Sequence, residues 1–316
     1  MKSSAFVFPG QGSQSVGMLD AWGDHPAVRE TLAEASEALG EDVAKLIHEG
    51  PKEALALTTN TQPVMLVAAV AAWRAWLAEG GAKPAVVAGH SLGEYSALVA
   101  SGVLSLAQAA PLVRFRAQAM QQAVPVGAGA MAAILGMDAA KVIDGCAQAQ
   151  ATFGAGSAEV VEAVNFNDPM QTVIAGSKAA VEKACEVLKA NGAKRALPLP
   201  VSAPFHSSLM KPAADALRAR LADVAFAAPQ IPVVNNIDVA VESDADRIRD
   251  ALVRQAAGPV RWVETVQALQ ARGVAAVIEC GPGKVLAGMA KRIAPDLGTG
   301  AIFDPASLAD VKQQLA

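Results

Sequence analysis

The pentapeptide Gly89-His90-Ser91-Leu92-Gly93 constrains this chain more than any other stretch. It follows an apolar run at residues 85–88 and precedes a helix-like run at 94–99. Strand, Gly-x-Ser-x-Gly and helix in that order make a nucleophile elbow, in which the chain reverses so sharply that side chains two residues either side of the serine would clash. The turn puts the serine hydroxyl at its tip, and the following helix directs N–H groups toward it. An ordinary glycine-bounded strand-to-helix turn has the same composition, so the elbow nominates Ser91 as a nucleophile without fixing its chemistry.

The bulk composition sets the scale. The chain has 316 residues, 53% hydrophobic and 18% charged, enough for one large domain or two with a sizeable core. A net charge of −4 argues against nucleic acid as a main partner. No apolar run reaches membrane-spanning length, because the one at 64–77 contains Arg74 and is bounded by Pro63 and Glu79. The N-terminal residues lack the apolar core of a signal peptide. Cys146, Cys185 and Cys280 are odd in number and widely spaced, with no metal or disulfide pattern. A reducing, cytoplasmic setting is the expectation.

Strand-like runs at 5–8, 85–88, 233–235 and 274–279 alternate with helical patterns at 26–39, 62–77, 94–100, 106–124, 208–221, 246–255, 263–271 and 284–293. That alternation predicts a mostly parallel sheet with helices on both faces. The rhythm changes in the middle of the chain. A strand at 130–135, a helix at 138–150, a strand at 159–166, a turn at Asn167-Asp168-Pro169, a strand at 172–175, a helix from 177 to about 191 and a strand at 193–199 follow one another. The order β-α-β-β-α-β is ferredoxin-like. The expected fold is α/β: a hydrolase-like domain over 1–126 and 201–316, carrying an inserted ferredoxin-like subdomain over 127–200.

A serine nucleophile needs a base, usually histidine. His25 and His48 read as surface residues. His90 adjoins Ser91 and should point elsewhere while still lining the site. His206, in a loop just before a helix, follows the serine as the base does in α/β-hydrolases. The third member is open: Glu94, Asp138, Glu162 and Asp168 lie between serine and histidine, and a backbone carbonyl could orient the ring instead. One oxyanion donor should be the N–H of Leu92, and the glycine-rich segment Gly10-Gln11-Gly12-Ser13-Gln14 can offer another. Gly281-Pro282-Gly283-Lys284 fails the phosphate-loop spacing and reads as a turn, with at most a minor role for Lys284 near an anion. Arg114 and Arg116 point to different faces of one helix. Taken alone they read as solvated arginines, although one turned inward would suit an acidic substrate.

Seven segments taken together resemble the malonyl-CoA:acyl carrier protein transacylases of bacterial fatty-acid synthesis and the acyltransferase domains of polyketide synthases. They are Phe8-Pro9-Gly10-Gln11-Gly12-Ser13-Gln14, Asn60-Thr61-Gln62-Pro63, Gly89-His90-Ser91-Leu92-Gly93-Glu94-Tyr95, Arg116-Ala117-Gln118-Ala119-Met120, Asn165-Phe166-Asn167, Phe205-His206 and Gly281-Pro282-Gly283-Lys284. They occur in family order across essentially the whole chain. The resemblance implies that Ser91 attacks the thioester of malonyl-CoA with His206 as base, and that the N–H groups of Gln11 and Leu92 form the oxyanion hole. It also implies that Arg116 clamps the malonyl carboxylate and that the carbonyl of Gln255 orients His206. His90, Gln62, Asn165 and Phe205 would line the substrate pocket, with the Phe205 ring crowding an α-methyl group. Residues 255–260 are smaller than is usual in the family, which a backbone carbonyl tolerates.

Further expectations follow from the resemblance. The malonyl group passes to the phosphopantetheine thiol of acyl carrier protein, with no metal or redox cofactor. The carrier is acidic, so Lys189, Lys194, Arg195, Lys284, Lys291 and Arg292 are candidates for its docking surface. A monomer is the default, and a free-standing chain favours fatty-acid over polyketide synthesis. A serine thioesterase would share the elbow, and an idle carrier-binding module would lack the adduct.

Overall fold

Nine strands form two sheets in this computed structural model, which describes residues 2–201 and 203–316. The strands are β1 (Ser4–Phe8), β2 (Val86–Gly89), β3 (Gly129–Leu135), β4 (Val161–Asp168), β5 (Gln171–Ser177), β6 (Arg195–Pro198), β7 (Val233–Val234), β8 (Ala276–Cys280) and β9 (Gly298–Ile302). The larger sheet is parallel throughout, in the order β7-β2-β1-β8-β9. Strands β1, β2, β7 and β8 are buried along their whole length, as a parallel sheet covered by helices requires, whereas the edge strand β9 is half-buried at its first three residues. In β1 the alternation is direct: Phe6 and Phe8 pack on one side of the sheet, Ala5 and Val7 on the other. The long Thr58–Ala78 helix lies on the first side, where Trp73 and Trp76 meet the Phe6 ring. Together these elements give the expected mostly parallel α/β architecture.

The smaller sheet is antiparallel and comes entirely from residues 129–198, within the expected insertion. Its order, β4-β5-β3-β6, is that of a ferredoxin-like unit, in which the first and third strands are central. Helices Ala139–Ala151 and Lys178–Ala190 cover one face, packing on Ala132 and Ile134. The other face turns Met131, Ala133, Val173 and Ala175 toward Met120, Phe205 and Met210 of the larger unit. The insertion is also tied in by backbone: Val260 N–H donates to Val164 O, and Phe166 N–H donates to Val260 O. Of the ranges expected for the two units, only residues 1 and 202 lie outside this description.

Most boundaries agree with the sequence reading, with four informative differences. The helix expected from residue 62 begins at Thr58 and carries Pro63 inside it. Proline normally marks a first turn, but here the whole segment is buried, and Thr61 Oγ bonds the carbonyls of Leu55 and Leu57 to extend the start. Helices Val43–Glu49 and Lys52–Ala56 are too short to show a clear period. Strand β9, Gly-Thr-Gly-Ala-Ile, has weak strand propensity and is held by its pairing with β8. The terminal Pro305–Leu315 helix is announced by a capping box between Asp304 and Ser307 that the reading passed over. No helix among the described residues is long and apolar enough to cross a membrane.

Candidate active site

The parallel strands end in a cleft beneath the smaller sheet, the usual ligand position in open α/β sheets. β2 runs into the elbow there. A side chain on Gly89 would come within 1.9 Å of the Gly93 backbone, and one on Gly93 within 2.0 Å of Phe8 O, so neither position has room for one. Ser91 itself sits at φ 53. That region is strained for any residue but glycine and recurs at functional sites. Among the described residues only His206, at φ 66, and Val239 share this backbone state without being glycine.

The two strained residues meet. Ser91 Oγ lies 2.6 Å from His206 Nε2. His206 is buried, and its Nδ1 donates to Gln255 O at 2.9 Å, with Gly258 O at 3.2 Å. Both carbonyls can only accept, so the proton sits on Nδ1 and Nε2 presents its lone pair to the serine hydroxyl. Burial is the main force pushing the His206 pKa down to about 3, and the Arg116 charge adds to it. The ring is therefore neutral near pH 7.

The third position is a backbone carbonyl, and none of the four acids touches the ring. Asp138 caps the helix of the insertion through Lys141 N–H. Glu162 accepts from Ser208 N–H, just past His206. Asp168 pairs with Arg292 across the two units. Glu94 lies under the elbow and binds Asn236 and Gln255.

Arg116 is 1% exposed, whereas Arg114, two residues away, pairs with Glu41 at the surface. The buried guanidinium donates from Nη1 to Gln62 Oε1 at 2.6 Å and from Nη2 to Gln255 Oε1 at 3.0 Å and Ser91 Oγ at 3.2 Å. It also lies over the Tyr95 ring, 5.5 Å from its centroid. Every one of these partners is neutral. Burial works against the charge and lowers its pKa, so an arginine held this way is a site for an anion.

These groups border a cavity of about 120 Å³. Gln11, Gln62, His90, Ser91, Leu92, Arg116, Asn165, Phe205 and His206 all line it, which gathers every sequence-proposed site residue except Gln255. Gln255 stands behind the wall with its carbonyl on His206. The N–H groups of Gln11 and Leu92 find no acceptor among the described residues. His90 turns away from Ser91, with Nε2 2.8 Å from Asn167 Oδ1 and its ring against Trp262. Burial lowers its pKa too. Asn165 Oδ1 is buried in the wall without a partner.

The six basic residues suggested for docking do not border this cavity. Lys284 Nζ lies over the Phe303 ring, Lys291 bonds Pro295 O, and Arg292 is held by Asp168. Among the described residues no group of three or more His, Cys, Asp or Glu side chains is arranged to hold a metal ion.

Sequence reasoning missed two kinds of residue. Met120, Met131, Leu199 and Val201 form the apolar wall; Met120 stood only as the last residue of the Arg116 segment, and the other three, as ordinary apolar residues, carry no motif. Asn236 accepts from Ser91 N–H at 2.7 Å and donates from Nδ2 to Gly89 O at 2.6 Å, clamping the elbow from the end of β7. Its signal was available: an amide just past a buried parallel strand, at the edge where such sheets bind ligands.

Acyl transfer through a serine needs a nucleophile, a base held in one tautomer and paired donors for an oxyanion. A cleft that juxtaposes such groups at the carboxyl edge of a parallel sheet defines the class as α/β enzymes of serine acyl chemistry, hydrolases and transferases alike. Comparison with known proteins makes this particular. Residues 5–295 match the acyl transferase domain family. Over 309 residues the chain is 54% identical to the malonyl CoA-acyl carrier protein transacylase of Salmonella typhimurium, covering 98% of each chain. The crystal structure of an acyl-carrier-protein S-malonyltransferase from Burkholderia pseudomallei superposes with a TM-score of 0.95 at 66% identity, covering 98% of this chain and 99% of that one. A type II PKS acyl-carrier protein in complex with its malonyl-transacylase contains a chain that superposes with a TM-score of 0.95 at 50% identity, covering 99% of each. The chain belongs to the acyl transferase family and, within it, to the malonyl CoA-acyl carrier protein transacylases.

Proposed function

We propose that the chain moves a malonyl group from malonyl-CoA to the phosphopantetheine thiol of acyl carrier protein, in two half-reactions on Ser91. His206 Nε2 takes the Ser91 proton as Oγ attacks the thioester carbonyl. The tetrahedral oxyanion accepts from the N–H groups of Gln11 and Leu92. Collapse expels the CoA thiolate, which receives the proton back from His206, and leaves malonyl-Ser91. The carrier thiol then gives its proton to His206 and attacks the ester, and collapse returns the proton to Ser91.

Arg116 selects the acyl group by pairing with the malonyl carboxylate, aided by Gln62. Pairing also serves the base. Arg116 is one reason the imidazolium is disfavoured, so a carboxylate that offsets its charge makes His206 a better proton acceptor. Asn165 and His90 offer polar contacts along the wall, and Phe205 limits branching at the α-carbon. The product supplies fatty-acid synthesis.

The observation that carries this reading is a buried guanidinium bonded only to neutral partners, 3.2 Å from the elbow hydroxyl. Intact-mass measurement after mixing with malonyl-CoA tests it. The wild type gains one malonyl group and Ser91→Ala gains none. An adduct on Ser91→Ala, or none on the wild type, contradicts the reading.

A further inference from the structure

Glu94 opens the helix after the elbow and is 2% exposed. It does not reach His206, yet one of its oxygens holds two parts of the site. Oε2 accepts from Asn236 N–H at 2.9 Å and from Gln255 Nε2 at 2.9 Å. Both amides are fixed in orientation by their surroundings. Gln255 Nε2 faces two acceptors, Glu94 Oε2 and Ser91 O, so Gln255 Oε1 faces Arg116 Nη2, which can only donate. The same residue's carbonyl accepts from His206. Asn236 Nδ2 faces Gly89 O, so Oδ1 accepts from Ser91 N–H.

We propose that Glu94 is the positioning residue of this site: through Asn236 and Gln255 it holds nucleophile, base and acyl clamp in one register. The proposal rests on the roles given above to Ser91, His206 and Arg116. A flipped Gln255 amide would aim donors at Arg116 and strand its positive charge, and a carboxylate beneath the amide forbids that flip. Glu94 also supplies the negative charge that Arg116 lacks among its direct partners, at one remove through the Gln255 side chain.

Three variants test this, each measured for the rate of acyl-enzyme formation from malonyl-CoA and from acetyl-CoA. Glu94→Met keeps the length of the side chain and removes the acceptor. It should slow acylation by about 100-fold, the scale of a small misplacement of reacting groups, with half-saturation changed by less than roughly threefold. Glu94→Gln restores an acceptor oxygen and should recover the rate to within roughly threefold of wild type. Gln255→Met cuts the link to Arg116 while leaving the backbone carbonyl on His206. It should reduce malonyl loading about tenfold more than acetyl loading.

A folded Glu94→Met that acylates at the wild-type rate overturns the proposal, and so does a Glu94→Gln no better than Glu94→Met. Should Glu94→Met fail to fold, the other two decide: equal losses of malonyl and acetyl loading in Gln255→Met, or a slow Glu94→Gln, overturn it. A wild type without any Ser91 adduct sinks the functional reading itself, and the proposal with it.

Discussion

Arg116 Nη2 donates to Ser91 Oγ at 3.2 Å, so the buried cation touches the elbow hydroxyl directly. On the proposed mechanism, acylation would convert that hydroxyl to an ester and free the Arg116 donor. On the same mechanism the malonyl carboxylate would then take the place the hydroxyl held.

Replacing Arg116 by alanine should therefore separate two acyl groups. Losing one member of a buried charged pair costs about 3 kcal/mol, on the order of 100-fold. Malonyl loading should fall by about that factor more than acetyl loading, measured as acyl-enzyme formation rates. Equal losses would show that Arg116 supports the fold and not the carboxylate.

The elbow is held as well as strained. Asn236→Ala leaves Ser91 N–H and Gly89 O without partners in a buried setting. A stability loss of roughly 3 kcal/mol is expected from two orphaned backbone groups. Denaturant unfolding measures it, and a loss below about 1 kcal/mol would mean that water or a shifted side chain replaces the clamp.

The pH dependence should differ between substrates. His206 is held down to about 3, chiefly by burial, so the neutral form that the proposed mechanism uses is present throughout the neutral range. With acetyl-CoA, kcat/KM should show no histidine inflection near 6.5. Glu94 is raised to about 7 by burial, opposed by its bonds from Gln255 and Asn236 and by the Arg116 charge, and pushed the same way by Asp238. As pH falls through about 7 the site loses this negative charge, and the field at Arg116 favours a carboxylate more. The malonyl-to-acetyl ratio should rise as pH falls through that range in the wild type, and stay high and flat in Glu94→Gln. A ratio independent of pH in the wild type would contradict the charge balance.

A second buried carboxyl makes a prediction about stability. Glu279 in β8 accepts from Ala287 N–H at the start of the Val285–Ile293 helix, and burial raises its pKa from 4.5 to about 7. The folded state therefore holds the proton more tightly than the unfolded chain. Stability is full below the unfolded value and falls as pH rises from about 4.5 to about 7, by on the order of 3 kcal/mol at most. Glu279→Gln keeps an acceptor for the helix and removes the charge. Its melting temperature should exceed that of the wild type at about pH 8 but not at about pH 5. An equal change at both would refute the linkage.

What was legible in the sequence follows from how local each signal is. The elbow, the strand–helix alternation and the β-α-β-β-α-β order depend on neighbours in sequence, and they predicted the architecture. His206, which the structure places on Ser91, was singled out because few histidines competed for the role. Arg116 was not separable from Arg114 by pattern, since both lie on one amphipathic helix; only the family resemblance distinguished them. Glu94 was weighed as an acid for His206, and its actual partners, Asn236 and Gln255, lie more than 140 residues away. The side-chain amide of Gln255 was equally invisible, because the interest of that residue was its carbonyl. Long-range hydrogen bonds leave no periodicity behind, so the reading gathered the groups that line the cavity and, apart from the Gln255 carbonyl, not those that hold them from behind.

Partition of the acyl-enzyme tests the central claim most directly. Labelled malonyl-Ser91 enzyme, freed of excess malonyl-CoA, is divided between buffer and buffer containing carrier protein with its phosphopantetheine arm. The account predicts that label stays on the enzyme in buffer and passes to the carrier thiol when carrier is added. Release of free malonate at the same rate with and without carrier would contradict it and make the protein a hydrolase.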